Sequence, residues 1–162
     1  MSALLECLDR LADQRLGTVV HVNPSQAEVI ERYAALGAQR VVLVCGDAEA
    51  LPQWHRLALG RPWLEFVDAV VSPAPGRADW LRFNVPGLGG LLEPAALQSF
   101  YPRLRLLERV PVTTLSLQTV LDRLRIAAAA DRPNLLVLEA PGMDAPLLEG
   151  LALPTLRAFS WL

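Results

Sequence analysis

Two side chains in this sequence stand where acid–base chemistry could be done. His21 lies inside the run Thr18-Val19-Val20-His21-Val22, and Glu139 follows directly on Leu135-Leu136-Val137-Leu138. Both runs are aliphatic or β-branched and are bounded by Gly, Asn or Pro, the pattern of short buried strands. Open α/β sheets gather their ligands beyond the carboxyl ends of such strands. An imidazole or carboxylate there could take a proton from the hydroxyl of a bound substrate, so His21 and Glu139 are the candidate catalytic groups. Each also has a structural use: His21 as an interior imidazole bonded to a backbone carbonyl, Glu139 as a turn cap or the partner of an arginine such as Arg132. Asp47 and Asp144 follow strand ends in the same way, and each could meet a ligand or cap the helix that comes next.

The rest of the composition narrows the chemistry. All fifteen basic residues are arginine, so Schiff-base catalysis and a phosphate-loop lysine are excluded. A net charge of -2 argues against a general nucleic-acid binder. With only His21 and His55, no group of residues has metal-ligand spacing. Cys7 and Cys45 are unpaired by spacing and sit in apolar segments, so both are expected to be buried free thiols of a cytoplasmic protein. Met1 to Arg15 carries Glu6, Asp9, Arg10 and Asp13 and is expected not to be a leader. Hydrophobic residues make up 52% of the chain, with no apolar run near the roughly 20 residues of a membrane span. That content exceeds what one core needs and predicts an additional partner surface.

The 162 residues suit one domain. Helical spacing of Leu4, Leu5, Leu8 and Leu11 predicts a first helix over Ala3–Ala12. Ser25-Gln26-Ala27-Glu28 reads as a capping box opening a helix that stops at Gly37. Val41 to Cys45 is a second buried strand, and Gly46-Asp47 leads into a helix containing Pro52 and Trp54. Leu64 to Val71 reads as a third strand. Asp79 to Val85 alternates, placing Trp80, Arg82 and Asn84 on a wetter face, and Pro86 to Gly90 reads as a mobile loop. A short helix over Ala95 to Phe100, a strand over Val110 to Leu115 and a helix over Leu117 to Ala130 follow. After Leu135 to Leu138 come a short helix from Ala145 to Leu151 and a terminal strand from Leu156 to Leu162. Continuous apolar strands alternating with helices predict an α/β domain with a mostly parallel sheet covered on both faces.

Over Leu16 to Leu162 the order of these segments resembles the FkbM-type family of S-adenosylmethionine-dependent methyltransferases. The likeness is carried by Val20-His21-Val22-Asn23-Pro24-Ser25-Gln26-Ala27, by Val67 to Ser72 with Gly76 and Phe83, and by Val112 to Leu117 followed by Leu135 to Gly150. In the last stretch, Leu138-Glu139-Ala140-Pro141-Gly142-Met143-Asp144 stands where the family has an Asp-Val-Glu-Gly-type motif. The resemblance implies a Rossmann-like class I methyltransferase fold, with Asn23, Pro24 and Asp47 at the cofactor loops and Asp144 facing substrate or partner.

This chain departs from the family's cofactor loop at several positions. His21 replaces the acidic residue, Asn23 and Ala27 replace glycines, and Pro24 removes an N–H. Cys45 stands where a carboxylate would hold both ribose hydroxyls, leaving Asp47, two residues on, as the substitute. The expected function is therefore a degenerate methyltransferase-like domain without turnover, kept as a protein-interaction or assembly module, with no cofactor. The alternative is an active S-adenosylmethionine-dependent O-methyltransferase acting on a sugar or secondary metabolite. Ending at Leu162, the chain lacks the family's further antiparallel strand, so the sheet is expected to be C-terminally shortened. Its open edge, with Trp161 beside it, would then meet a second copy or another protein.

Overall fold

The computed structural model describes residues 3–128 and 131–160. In chain order the first half comprises α1 (Ala3–Asp9), β1 (Thr18–Val22), α2 (Glu28–Ala35), β2 (Arg40–Val44), α3 (Leu51–Ala58) and β3 (Leu64–Val67). Then come β4 (Val70–Val71), β5 (Gly76–Phe83), α4 (Pro94–Leu97) and β6 (Leu106–Leu115). The chain finishes with α5 (Leu117–Leu124), β7 (Leu135–Leu138), α6 (Asp144–Glu149) and α7 (Leu153–Leu156).

Four strands form a fully parallel sheet in the order β3-β2-β1-β7. Residues alternate between its faces, and so does the core. Val19, Val41, Leu43, Leu135 and Val137 pack with residues of α1, α2 and α3 on one side. On the other, Val20, Val22, Val42, Val44 and Leu136 pack with α5, α6 and Phe159. This is the α/β arrangement with a parallel, two-sided sheet anticipated from the apolar strands, and it is Rossmann-like. The chain moves outward from β1 to β2 and β3, then returns to place β7 on the other side of β1. The strand order therefore reverses between β1 and β7, which opens a crevice at their carboxyl ends.

A second sheet, in the order β4-β6-β5, pairs β4 with β6 in parallel and β5 with β6 antiparallel. The expected single strand from Leu64 to Val71 is thus two strands in two sheets, broken at Asp68-Ala69. The reason lies at Gly46. A Cβ there would sit 2.8 Å from the Val70 backbone nitrogen and 2.9 Å from the Ala69 carbonyl carbon. The chain crosses directly over the end of β2, and only glycine permits the approach. Pro111 lies in β6 opposite Asp79, whereas β4 pairs only with Thr114 and Leu115. The flank of β6 beyond Pro111 has no strand on it, so the missing N–H costs no ladder bond there.

Several expectations are corrected. The predicted terminal strand is α7 followed by a turn that tucks Phe159 into the core and bonds the Ser160 N–H to the Asn134 carbonyl. Its Thr155 accepts from the Gln118 side chain, so local turn geometry and packing on α5 win over the apolar pattern. Trp161 lies outside the described residues. Cys7 is exposed, because α1 turns it away from the core face occupied by Leu8. Trp80 is buried rather than on a wet face. The loop read as mobile is tied down by reciprocal backbone bonds between Leu81 and Gly90.

One buried side chain joins the two ends of the fold. Asn134 accepts from the Thr18 N–H at 2.8 Å and donates to the carbonyls of Ala127 at 2.9 Å and Ala158 at 2.8 Å. Asn134→Ala leaves three backbone groups unpaired and is expected to lower unfolding free energy by about 2–3 kcal/mol in urea denaturation.

Candidate functional site

The site grows from the strand alternation. Val19 and His21 share one face of β1, and Val137 is the register partner of His21 on β7. Glu139, two residues beyond Val137, returns to that face, and its N–H continues the ladder to the Val22 carbonyl at 3.0 Å. The two candidate catalytic groups are therefore brought together: His21 Nε2 lies 2.9 Å from Glu139 Oε1. On the other side of the ring, the Tyr33 hydroxyl from α2 lies 3.0 Å from His21 Nδ1. Ser25 Oγ donates a short hydrogen bond to Glu139 Oε2.

The proton arrangement follows from the donors available. Burial pushes the Tyr33 phenol far above its ordinary value of 10.0, with the nearby Glu139 charge adding to the effect. The phenol thus keeps its proton and donates it to Nδ1. That leaves the imidazole proton on Nε2, where it is donated to Glu139, and every polar atom in the chain is satisfied with His21 neutral. Burial raises the Glu139 carboxyl pKa, but hydrogen bonds from His21 and Ser25, together with electrostatic attraction to the His21 ring, outweigh it and hold the group below its ordinary 4.5. Glu139 is therefore an ionised carboxylate locked in one orientation. A carboxylate offers about four acceptor positions, and the described partners use two.

His21 is fully buried and lines none of the described cavities, whereas the Glu139 side chain is 25% exposed. The carboxylate opens onto a cleft of about 580 Å³ at the strand reversal, between the main sheet and the β5–α4 segment. Asn23, Pro24 and Asp47, the expected cofactor residues, all line it, together with Ser25, Cys45 and Trp80. Asn23 adopts the left-handed conformation, φ 54°, a backbone geometry that favours glycine. Asparagine tolerates this better than other residues, at a cost of about 1 kcal/mol. Its Oδ1 is buried and has no hydrogen-bond partner, and the same holds for Trp80 Nε1.

Other site residues turn out differently from expectation. Ser25 does not cap α2, whose N-cap is Ala27 with no side-chain bond; its hydroxyl donates to Glu139. Glu139 pairs with His21 and Ser25, not Arg132, whose guanidinium reaches the Gly37 carbonyl. Asp47 Oδ1 accepts from the Glu49 N–H at 3.1 Å, closing the turn that precedes α3. Asp144 lies away from the cleft and does not cap α6; it is the first residue of that helix and accepts from the Ala140 N–H at 2.9 Å. Sequence reasoning missed Tyr33, Ser25 and Trp80. Tyr33 was legible in part: a buried strand histidine needs two partners, and Tyr33 is the polar-tipped residue on the apolar stripe of the next helix.

No family model matches the chain, and no curated protein or solved structure matches it at a significant level. Function must be read from the geometry.

Because the folded Glu139 carboxyl titrates below its ordinary value, its ionised form stabilises the fold at neutral pH, and that contribution disappears as pH falls through the lower folded value. Thermal melts of wild type and Glu139→Gln should therefore differ by a constant amount near neutrality. The difference should shrink below about pH 4.5.

Proposed function

We propose that this chain is a methyltransferase-like domain without turnover that acts as a protein-interaction module, pairing with a second copy of itself. The observation that carries the first half is the chemistry at the end of β2. There a methyl donor's ribose would need a carboxylate and an open backbone approach. Instead the Cys45 thiol is 3% exposed. Burial pushes it up to about 11, so it carries no charge at neutral pH. The adjacent Gly46 is spent on the crossing of Ala69 and Val70. The residues present do not fit S-adenosylmethionine in its usual grip.

The second half is supported by the outer edge of β7. It is the last strand of its sheet, so its outer backbone groups have no strand partner among the described residues. An apolar groove of about 510 Å³ runs along it, walled by Leu4, Cys7, Leu8 and Leu11 on one side and by Leu148 on the other. Two such edges meeting about a two-fold axis would pair antiparallel, supply each other's missing hydrogen bonds and cover both grooves.

A second reading is an active O-methyltransferase on a sugar or secondary metabolite. It is favoured by one observation: the cleft places an ionised carboxylate and the Asn23-Pro24 turn at the strand reversal, where such folds bind ligands.

Calorimetric titration with S-adenosylhomocysteine, with mass in solution measured by sedimentation, separates the two. We expect no heat at about 1 mM ligand and a dimer, and Leu11→Glu with Leu148→Glu should give a monomer destabilised by about 1–3 kcal/mol, because both leucines also pack on the core. Micromolar binding weakened by Asp47→Ala or Glu139→Ala would establish the enzyme instead. A wild-type monomer at high protein concentration would overturn the pairing.

A further inference from the structure

The groove along β7 carries charges that apolar packing alone does not require. Among the described residues, its charged lining side chains are one cation, Arg10, and one anion, Asp144. Neither belongs to an ion pair within the chain among those residues. They stand toward opposite ends of the strand. Asp144 accepts from the Ala140 N–H at 2.9 Å, two residues past the carboxyl end of β7. Arg10 lies toward the amino end. Its neighbour Asp9 pairs with Arg32 in the last turn of α2, which has run back from the carboxyl end of β1. Turns then carry the chain to Leu16 and Gly17, whose N–H groups bond the carbonyls of Leu36 and Pro133 just before the strands begin.

That placement matters because β7 itself, Leu135-Leu136-Val137-Leu138, is aliphatic throughout. Its side chains give two copies no means of choosing an orientation or a register. The charges supply one. When two β7 edges meet antiparallel about a two-fold axis, the amino end of one lies against the carboxyl end of the other. Arg10 then meets Asp144 of the second copy, and the symmetry repeats the contact. A parallel meeting would set Arg10 against Arg10 and Asp144 against Asp144. Exposed opposite charges add little affinity, whereas like charges pressed together cost more, so the pattern acts chiefly by what it forbids.

We propose that Arg10 and Asp144 set the orientation of self-pairing through two reciprocal ion pairs between copies. This rests on pairing along β7, and it names the two side chains that make this surface specific for a second copy of the chain.

Sedimentation equilibrium over a range of protein concentrations, in low and high salt, tests the assignment. Arg10 is exposed, so Arg10→Glu should fold normally. It creates two like-charge contacts in each dimer and should weaken pairing about tenfold in low salt, with the difference from wild type shrinking in high salt. Asp144→Arg should weaken pairing to a similar degree. Mixed in equal amounts, the two variants should pair about as tightly as the wild type, because both contacts are then between opposite charges. A folding defect cannot produce recovery on mixing, and circular dichroism checks that each variant is folded. If Asp144→Arg does not fold, Asp144→Asn replaces it, keeping an acceptor for the Ala140 N–H. Mixed with Arg10→Glu, it should pair more tightly than Arg10→Glu does alone. A wild-type monomer overturns the pairing reading and this inference with it. A wild-type dimer that Arg10→Glu leaves equally tight, or folded variants that gain nothing on mixing, overturns the charge assignment alone and leaves pairing along β7 standing.

Discussion

An imidazole in the middle of a buried parallel strand must have both nitrogens satisfied, or the fold loses about 1–3 kcal/mol for each one left bare. His21 is fully buried in β1, and meeting that requirement organises what surrounds it. One nitrogen draws the Tyr33 hydroxyl of α2 against the sheet, and the other draws Glu139 to the end of β7. Glu139 in turn takes the hydroxyl of Ser25, which shapes the turn between β1 and α2. Strand, helix, turn and neighbouring strand are thereby tied to one ring.

The consequence is electrical as well as architectural. With the phenol protonated and the imidazole neutral, the chain carries a single negative charge, placed at its solvent-facing end. A carboxylate so well supplied with donors is a poor base and a good anchor, because its low proton affinity disfavours abstraction while its fixed orientation favours binding. Meanwhile the crossing of Ala69 and Val70 over Gly46 takes up space at the end of β2, where a dinucleotide or nucleoside ligand of such folds would extend. The crevice runs from Glu139 at the end of β7 to Cys45 and Asp47 at the end of β2. The buried cysteine where a ribose-holding carboxylate would stand is what separates this cleft from an ordinary cofactor pocket.

The parallel sheet was legible because Val41 to Cys45 and Leu135 to Leu138 are apolar at every position, as strands covered on both faces must be. The meeting of His21 with Glu139 was legible only up to the strand ends, since it depends on the register of β1 against β7, which local sequence does not encode. Ser25 misled because Ser-x-x-Glu has the form of a capping box, whereas α2 begins only at Glu28 and the hydroxyl is turned to donate to Glu139, which is distant in sequence. The terminal segment misled because α7 and the Phe159 turn are set by packing on α5 and by Asn134, neither of which is local to it. The second sheet was hidden in Asp68-Ala69, two unremarkable residues at which the chain leaves one sheet for the other.

The central claim is that His21 is a neutral imidazole with its proton on Nε2, passing a hydrogen bond to an ionised Glu139. Long-range ¹H–¹⁵N correlation spectra of the histidines at neutral pH test it directly, with His55→Gln used to assign His21. The account predicts an unprotonated, pyridine-like Nδ1 and a protonated, pyrrole-like Nε2 for His21. A pyridine-like Nε2, or two nitrogens with equivalent protonated shifts, would contradict it, because Glu139 would then lack its donor or the buried ring would carry the charge.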